Sequence, residues 1–110
     1  MQMVDGFWTA VFKGGAGQEH GVVVFTKGKI FGGDSVHTYI GNYEGEPNIK
    51  GKIAVHQFAS GPNVMGVRGD YEIEFKSEKV QDKNIEAQGQ QVGNPGNRLL
   101  IRLTRQADLP

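Results

Sequence analysis

The nearest approach to catalytic chemistry in this chain is Asp34-Ser35-Val36-His37, where an acid, a hydroxyl and an imidazole stand within four residues. Nucleophilic catalysis needs the hydroxyl within hydrogen-bond reach of the imidazole, with a third group orienting the base. On an extended strand Ser35 and His37 share a face, but their backbones are about 6–7 Å apart, long for such a bond. The stretch reads instead as a hydrogen-bonded turn at Asp34 and Ser35, after Gly33, with His37 on the rim of whatever the strands enclose. His20, His37 and His56 do not converge in the expected pairing, and the chain has no cysteine, so no metal site, cofactor or catalytic residue is assigned. Glycines are frequent in Gly14-Gly15-Ala16-Gly17-Gln18, but no Gly-Lys-Ser/Thr and no helix follows, which excludes a phosphate cradle.

A better-supported pair is Trp8 and Arg105. Trp8 sits in the first strand-like run and Arg105 closes the last. A guanidinium laid over the indole is a cation–π contact of about 0.5–2 kcal/mol. Its role would be structural, sealing the seam between the first and last strands.

The elements that must position these residues alternate with period two almost throughout. In Asp5 to Lys13, Gly6, Trp8, Ala10 and Phe12 face inward, and Phe7, Thr9 and Val11 outward. Seven further runs follow: His20–Thr26, Lys29–Phe31, Val36–Tyr43, Ile49–Phe58, Gly69–Lys76, Ile85–Val92 and Leu99–Arg105. Lys27-Gly28 and Asn94-Pro95-Gly96-Asn97 read as turns between them. A hairpin about Glu46 would set Tyr43 against Ile49, Gly41 against Gly51 and Tyr39 against Ile53. The next hairpin would set Ala87 against Ile73 and Gly89 against Tyr71. Residues 59–68 form the longest irregular stretch, a length often functional or mobile.

Eight short strands in sequential hairpins predict an all-β fold, an eight-stranded antiparallel up-and-down barrel, with a two-sheet sandwich as the competitor. With 110 residues, the whole chain, 1–110, is one domain. Glycine, 17 of the 110, is about twice its usual share of ~7%, which suits tight turns and curved strands. Lys+Arg and Asp+Glu are 12 each, so the net charge is zero and the basic footprint of a nucleic-acid binder is missing. The absence of cysteine, of an apolar leader and of any long apolar run leads to the expectation of a cytoplasmic protein with no membrane segment.

Two uses of such a barrel follow. Trp8, Tyr39, Tyr43, Ile53, Tyr71, Ile73 and Phe75 could line a cavity for a small apolar molecule. Inward glycines make space there and inward aromatics fill it, so the interior is either packed or hollow. Phe7, Val11, Val22 and Val24 point outward from the first two strands. Such a patch marks a protein contact, either a homodimer or another partner.

Asp5-Gly6-Phe7-Trp8, Gly21-Val22-Val23-Val24, Gly32-Gly33-Asp34-Ser35, Tyr39-Ile40-Gly41-Asn42-Tyr43 and Leu103-Thr104-Arg105 together resemble the GrlR-like proteins. These are negative regulators of type III secretion and their uncharacterised bacterial relatives. The resemblance runs from about Asp5 to Arg105. It implies a calycin-like, lipocalin-like barrel, often dimeric, in the bacterial cytosol. It also implies a non-enzymatic role in transcription regulation, by binding a transcriptional activator, with a lipid-like molecule in the cavity as an alternative. The regulators proper carry an acidic Glu-Asp-Glu-Asp run on a surface loop. Glu44-Gly45-Glu46 is the nearest counterpart here, so the resemblance implies the barrel rather than the type III secretion role.

Overall fold

Alternating side chains commit each segment to a strand with one wet and one dry face, and closure removes the edges such strands would otherwise expose. In the computed structural model, which describes residues 4–45 and 48–110, eight strands do close on themselves. They are β1 (Gly6–Gly14), β2 (Gly17–Thr26), β3 (Lys29–Gly33), β4 (His37–Glu44), β5 (Lys50–Gln57), β6 (Tyr71–Val80), β7 (Asn84–Gln91) and β8 (Asn94–Ala107). Each pairs antiparallel with its neighbours in sequence, and β1 pairs with β8. This is the up-and-down barrel, and the sandwich is excluded. No helix among the described residues is long and apolar enough to cross a membrane.

The parity of β1 is as read: Gly6, Trp8, Ala10 and Phe12 are buried, while Phe7, Thr9 and Val11 are partly exposed. Inside, Trp8 meets Phe25 edge-on at 6.2 Å, Phe25 meets Tyr43 at 5.3 Å, and Phe12 meets Tyr39 at 5.2 Å. Burying such a ring stabilises by about 1.5–3 kcal/mol. Lys27 and Gly28 have φ of 49° and 80°, the two positive values that a tight β2–β3 hairpin demands.

Three local expectations are corrected. In the β4–β5 hairpin Tyr43 faces Gly51, Gly41 faces Ile53 and Tyr39 faces Val55, two residues from the expected register. The cause is Ile49, which leaves the ladder for the core and exchanges hydrogen bonds with Ser77: its N–H donates to Ser77 Oγ and its carbonyl accepts from Ser77 N–H, both at 2.8 Å. The expected hairpin centre, Glu46, lies outside the described residues. In β6–β7, Gly89 faces Phe75 and Ala87 faces Ser77, because β6 runs on through a bulge between Ser77 and Lys79. Both shifts are even, so every side chain keeps its predicted face. Finally, Asn94-Pro95-Gly96-Asn97 is not the turn. The chain reverses at Val92-Gly93, and the Pro-Gly segment forms an irregular start to β8.

Candidate functional site

The barrel is sealed at one end by the first and last strands. Trp8 is fully buried and lies opposite Arg105 in the β1–β8 ladder. The Arg105 guanidinium carbon lies 4.4 Å from the indole centroid. Arg105 Nη1 donates to the Asp5 carbonyl at 2.8 Å and Nε to the Asp82 carbonyl at 2.7 Å. Trp8 Nε1 donates to the Val4 carbonyl at 3.0 Å, and the Tyr43 hydroxyl donates to Asp5 Oδ1 at 2.7 Å. Gly6 makes the arrangement fit: a Cβ there would stand 2.5 Å from Arg105 Nη1 and 3.0 Å from the Ala107 carbonyl oxygen.

The other end is plugged by the β5–β6 loop, residues 58–70. Val64 and Met65 enter the core. Backbone and side-chain bonds hold them there: Ala16 N–H donates to the Val64 carbonyl at 3.0 Å, and Asn97 Nδ2 to the Met65 carbonyl at 2.9 Å. Val64 N–H in turn donates to Glu19 Oε1 at 3.1 Å.

Beneath this loop lies a buried polar network. Asp34 Oδ1 accepts from the backbone N–H groups of Val36 and His37, both at 2.7 Å, which is the turn expected from sequence. His37 Nδ1 stands 3.3 Å from the same oxygen, and Asn63 Nδ2 stands 3.2 Å from His37 Nε2 and donates to the Tyr71 hydroxyl at 3.1 Å. The Tyr39 hydroxyl donates to Asp34 Oδ2. Ser35 is exposed while His37 is engaged on both nitrogens, so the Asp34-Ser35-Val36-His37 stretch makes no nucleophile–base pair.

Glu19, Asp34 and His37 each offer an atom within 4.8 Å of the others. Burial, then hydrogen bonding to Asp34 and its charge, raises the Glu19 pKa above the ordinary carboxylate value. Burial would raise Asp34 too, but the bonds from Tyr39, Val36 and His37 outweigh it and hold that carboxyl low. The two carboxyls are thus pushed in opposite directions, Glu19 toward its neutral form and Asp34 toward its charged form. Desolvation, then Asp34, raises the Tyr39 pKa, keeping the phenol a donor. Sequence reasoning missed Glu19, Asn63 and the plug. An apolar Val64-Met65 pair in a Gly/Pro/Asn-rich loop was the available signal.

The interior between the two seals is packed. An internal space of about 30 Å³ is lined by members of this network and by apolar side chains, Tyr39, Ile53, Tyr71 and Ile73 among them. Three of the expected cavity residues do not line it. Trp8 is covered by Val4 and Arg105, while Tyr43 and Phe75 border an open hollow of about 890 Å³ on the outer wall of β4 to β8. The aromatics fill the room that the inward glycines leave.

Outside, the antiparallel register brings apolar residues into line. Phe7 faces Val24, Val24 faces Phe31, Phe31 faces Ile40, and Ile40 faces Ala54. The result is an apolar girdle across five of the eight strands. Phe31 is 47% exposed, Ile40 50% and Val22, beside the row, 40%. Val11 lies off the row, opposite His20. Sequence analysis placed the patch on β1 and β2, whereas its most exposed side chains are on β3 and β4. Compared with known proteins, the chain matches no family model, and no curated protein matches its sequence.

Proposed function

We propose that this chain is a non-enzymatic interaction protein that works through the outer wall of its barrel. The observation that carries this reading is the apolar girdle, set in register on the outside of a barrel whose inside is already full. Carrying apolar side chains to solvent costs solubility, and contiguous patches of this kind serve protein contacts. The resemblance to GrlR-like regulators suggests the setting: a bacterial cytoplasmic regulator of transcription that acts by protein binding. In this reading the β1–β2 end of the girdle, with Phe7, Val22 and Val24, meets a second copy to form a homodimer, with Val11 at its margin.

Sedimentation velocity tests this. The wild-type chain is expected as a dimer, and Phe7→Asp/Val22→Asp as a monomer with an unchanged near-UV spectrum. An oligomeric state indifferent to those substitutions overturns the assignment. Against a carrier that holds a small apolar molecule inside the barrel stands the interior space of about 30 Å³, since pockets for such ligands run to about 300–1,000 Å³.

A further inference from the structure

The girdle wraps more than half of a round wall, so no single partner covers it, and its β3–β5 end differs from its β1–β2 end in charge. Phe31 and Ile40 form the exposed apolar centre there, with Ala54 beyond them. The next outward row, one step toward the β2–β3 turn, reads Thr26, Lys29, Asn42, Lys52. Lys29 and Lys52 thus flank the apolar residues along one side, and Lys27 extends that side into the turn. Among the described residues no carboxylate lies within ion-pair distance of these three ammonium groups, although the Asp5 carboxylate accepts from the Lys27 backbone N–H at 3.3 Å and Lys50 beside them is 3.7 Å from Glu44. Glu74, across from Lys52, accepts a hydrogen bond from Gln90 at 2.7 Å. The opposite flank is of other character: Thr38, then His56 paired with Asp70 at 3.0 Å, while Glu72 ends the apolar row itself.

From this juxtaposition we infer that the β3–β5 face docks an acidic amphipathic segment of a different protein, apolar side chains on Phe31 and Ile40 and carboxylates toward Lys29 and Lys52. The inference rests on the reading of the girdle as a protein-binding surface. A closed barrel has no free edge to accept an added strand, so the partner must bring the complementary stripe. An amphipathic helix does so, with its apolar row and a parallel row of carboxylates matching two parallel rows on the wall. An anionic membrane fits less well, because Asp70 on the far flank and Glu72 at the end of the apolar row would face the lipid phosphates. A second copy fits less well too, because its own lysine row brings positive charge to the face.

The test uses two synthetic amphipathic peptides of about 14 residues, roughly 21 Å of helix, with the same leucine face. One carries glutamates along one flank and the other lysines. Fluorescence anisotropy at low salt is expected to show the glutamate peptide binding about tenfold more tightly to the wild-type chain. Lys29→Glu/Lys52→Glu should invert the preference, and Ile40→Asp should remove binding of both peptides. The dimer variant Phe7→Asp/Val22→Asp should still bind the glutamate peptide, so this inference stands or falls apart from the dimer. All five positions changed on β3–β5 and β1–β2 are at least partly exposed, and near-UV spectra report their folding. Equal binding of the two peptides, or binding of neither, overturns the inference. So does lysine-dependent binding to phosphatidylglycerol vesicles without any peptide preference, which would make the face a membrane contact. Self-association abolished by Ile40→Asp would assign it to a second copy and overturn the inference as well.

Discussion

Removing the Arg105 side chain should unseat the barrel's closure, and its neighbour Arg102 provides the control. Arg105 is 12% exposed, stacked 4.4 Å from the Trp8 ring centroid and bonded to the Asp5 and Asp82 carbonyls. The cation–π contact contributes about 1 kcal/mol and the part-buried bond to Asp5 about 1.5 kcal/mol. The more exposed bond to Asp82 adds roughly 0.5 kcal/mol. Arg105→Ala is therefore expected to cost about 3 kcal/mol in urea unfolding, or roughly 12 °C in Tm for a domain of this size. Arg102, three residues earlier on β8, is 77% exposed and meets Glu86 at 3.6 Å. Arg102→Ala should cost about 0.5 kcal/mol or less. A double-mutant cycle with Trp8→Phe separates the ring contact from the carbonyl bonds, with an expected coupling of about 0.5–1.5 kcal/mol. Costs for Arg105→Ala and Arg102→Ala that agree within about 1 kcal/mol would refute the closure argument. A large cost with no coupling would leave the carbonyl bonds and remove the ring.

Three other outcomes follow from the sealed interior. Met65→Ala should cost about 2–4 kcal/mol in the same unfolding assay, because the side chain is core rather than loop surface; a cost under about 1 kcal/mol would mean the plug is loosely seated. Native mass spectrometry of the chain purified without refolding should give the bare mass, since about 30 Å³ holds one or two waters; a retained fatty acid or phospholipid would contradict the packed core. Glu19→Gln should stabilise the protein at pH 8 more than at pH 4. The raised pKa of Glu19 means its contribution is fully present below the unfolded value, about 4.5, and is lost as pH rises through the folded value. Asp34 works oppositely: its lowered pKa stabilises above about 3.8, and the benefit fades as pH falls through the folded value. Glutamine keeps the acceptor for Val64 N–H and a donor for Asp34, so only the ionisation cost is removed. An effect equal at both pH values would show that the Glu19 carboxyl is not raised in the folded protein.

Strand number, pairing order and the face of each side chain were legible because period-two alternation survives any even slip of register. That is why Tyr39, Tyr43 and Ile73 point inward although two of the hairpins around them were mispaired. Register was not legible where a residue leaves the ladder for a tertiary contact, as Ile49 does toward Ser77, or where a bulge absorbs a residue, as between Ser77 and Lys79. The seam was legible because Trp8 and Arg105 sit on the two strands that must meet for any sequential barrel to close. The Glu19–Asp34–His37–Asn63 network was hidden because its members come from β2, the β3–β4 turn, β4 and a loop. Local spacing joins only Asp34 and His37; Glu19 and Asn63 reach them from β2 and the plug. Likewise, whether the barrel was full depended on a volume sum to which Val64 and Met65 made an unforeseen addition.

The girdle has an ordinary explanation, and strands β6 and β7 argue against it, while β8 carries one large outward apolar residue, Leu100, 52% exposed. Aromatic and β-branched residues are favoured in strands wherever they point, so Val24, Phe31 and Ile40 could be outward for the sake of strand formation alone. The outward positions of β6 and β7 are Glu72, Glu74, Lys76, Glu86, Gln88 and Gln90, and those strands form longer ladders than the two that β3 makes. Polar outward residues thus suffice to build this wall. Closure is also secured elsewhere, by Arg105 and Trp8 at one end and the Val64–Met65 plug at the other, so the girdle is not needed to hold the barrel shut. This is what supports the proposal that Phe31 and Ile40 meet a partner, and the lysines beside them are why that proposal gives the partner a negative charge.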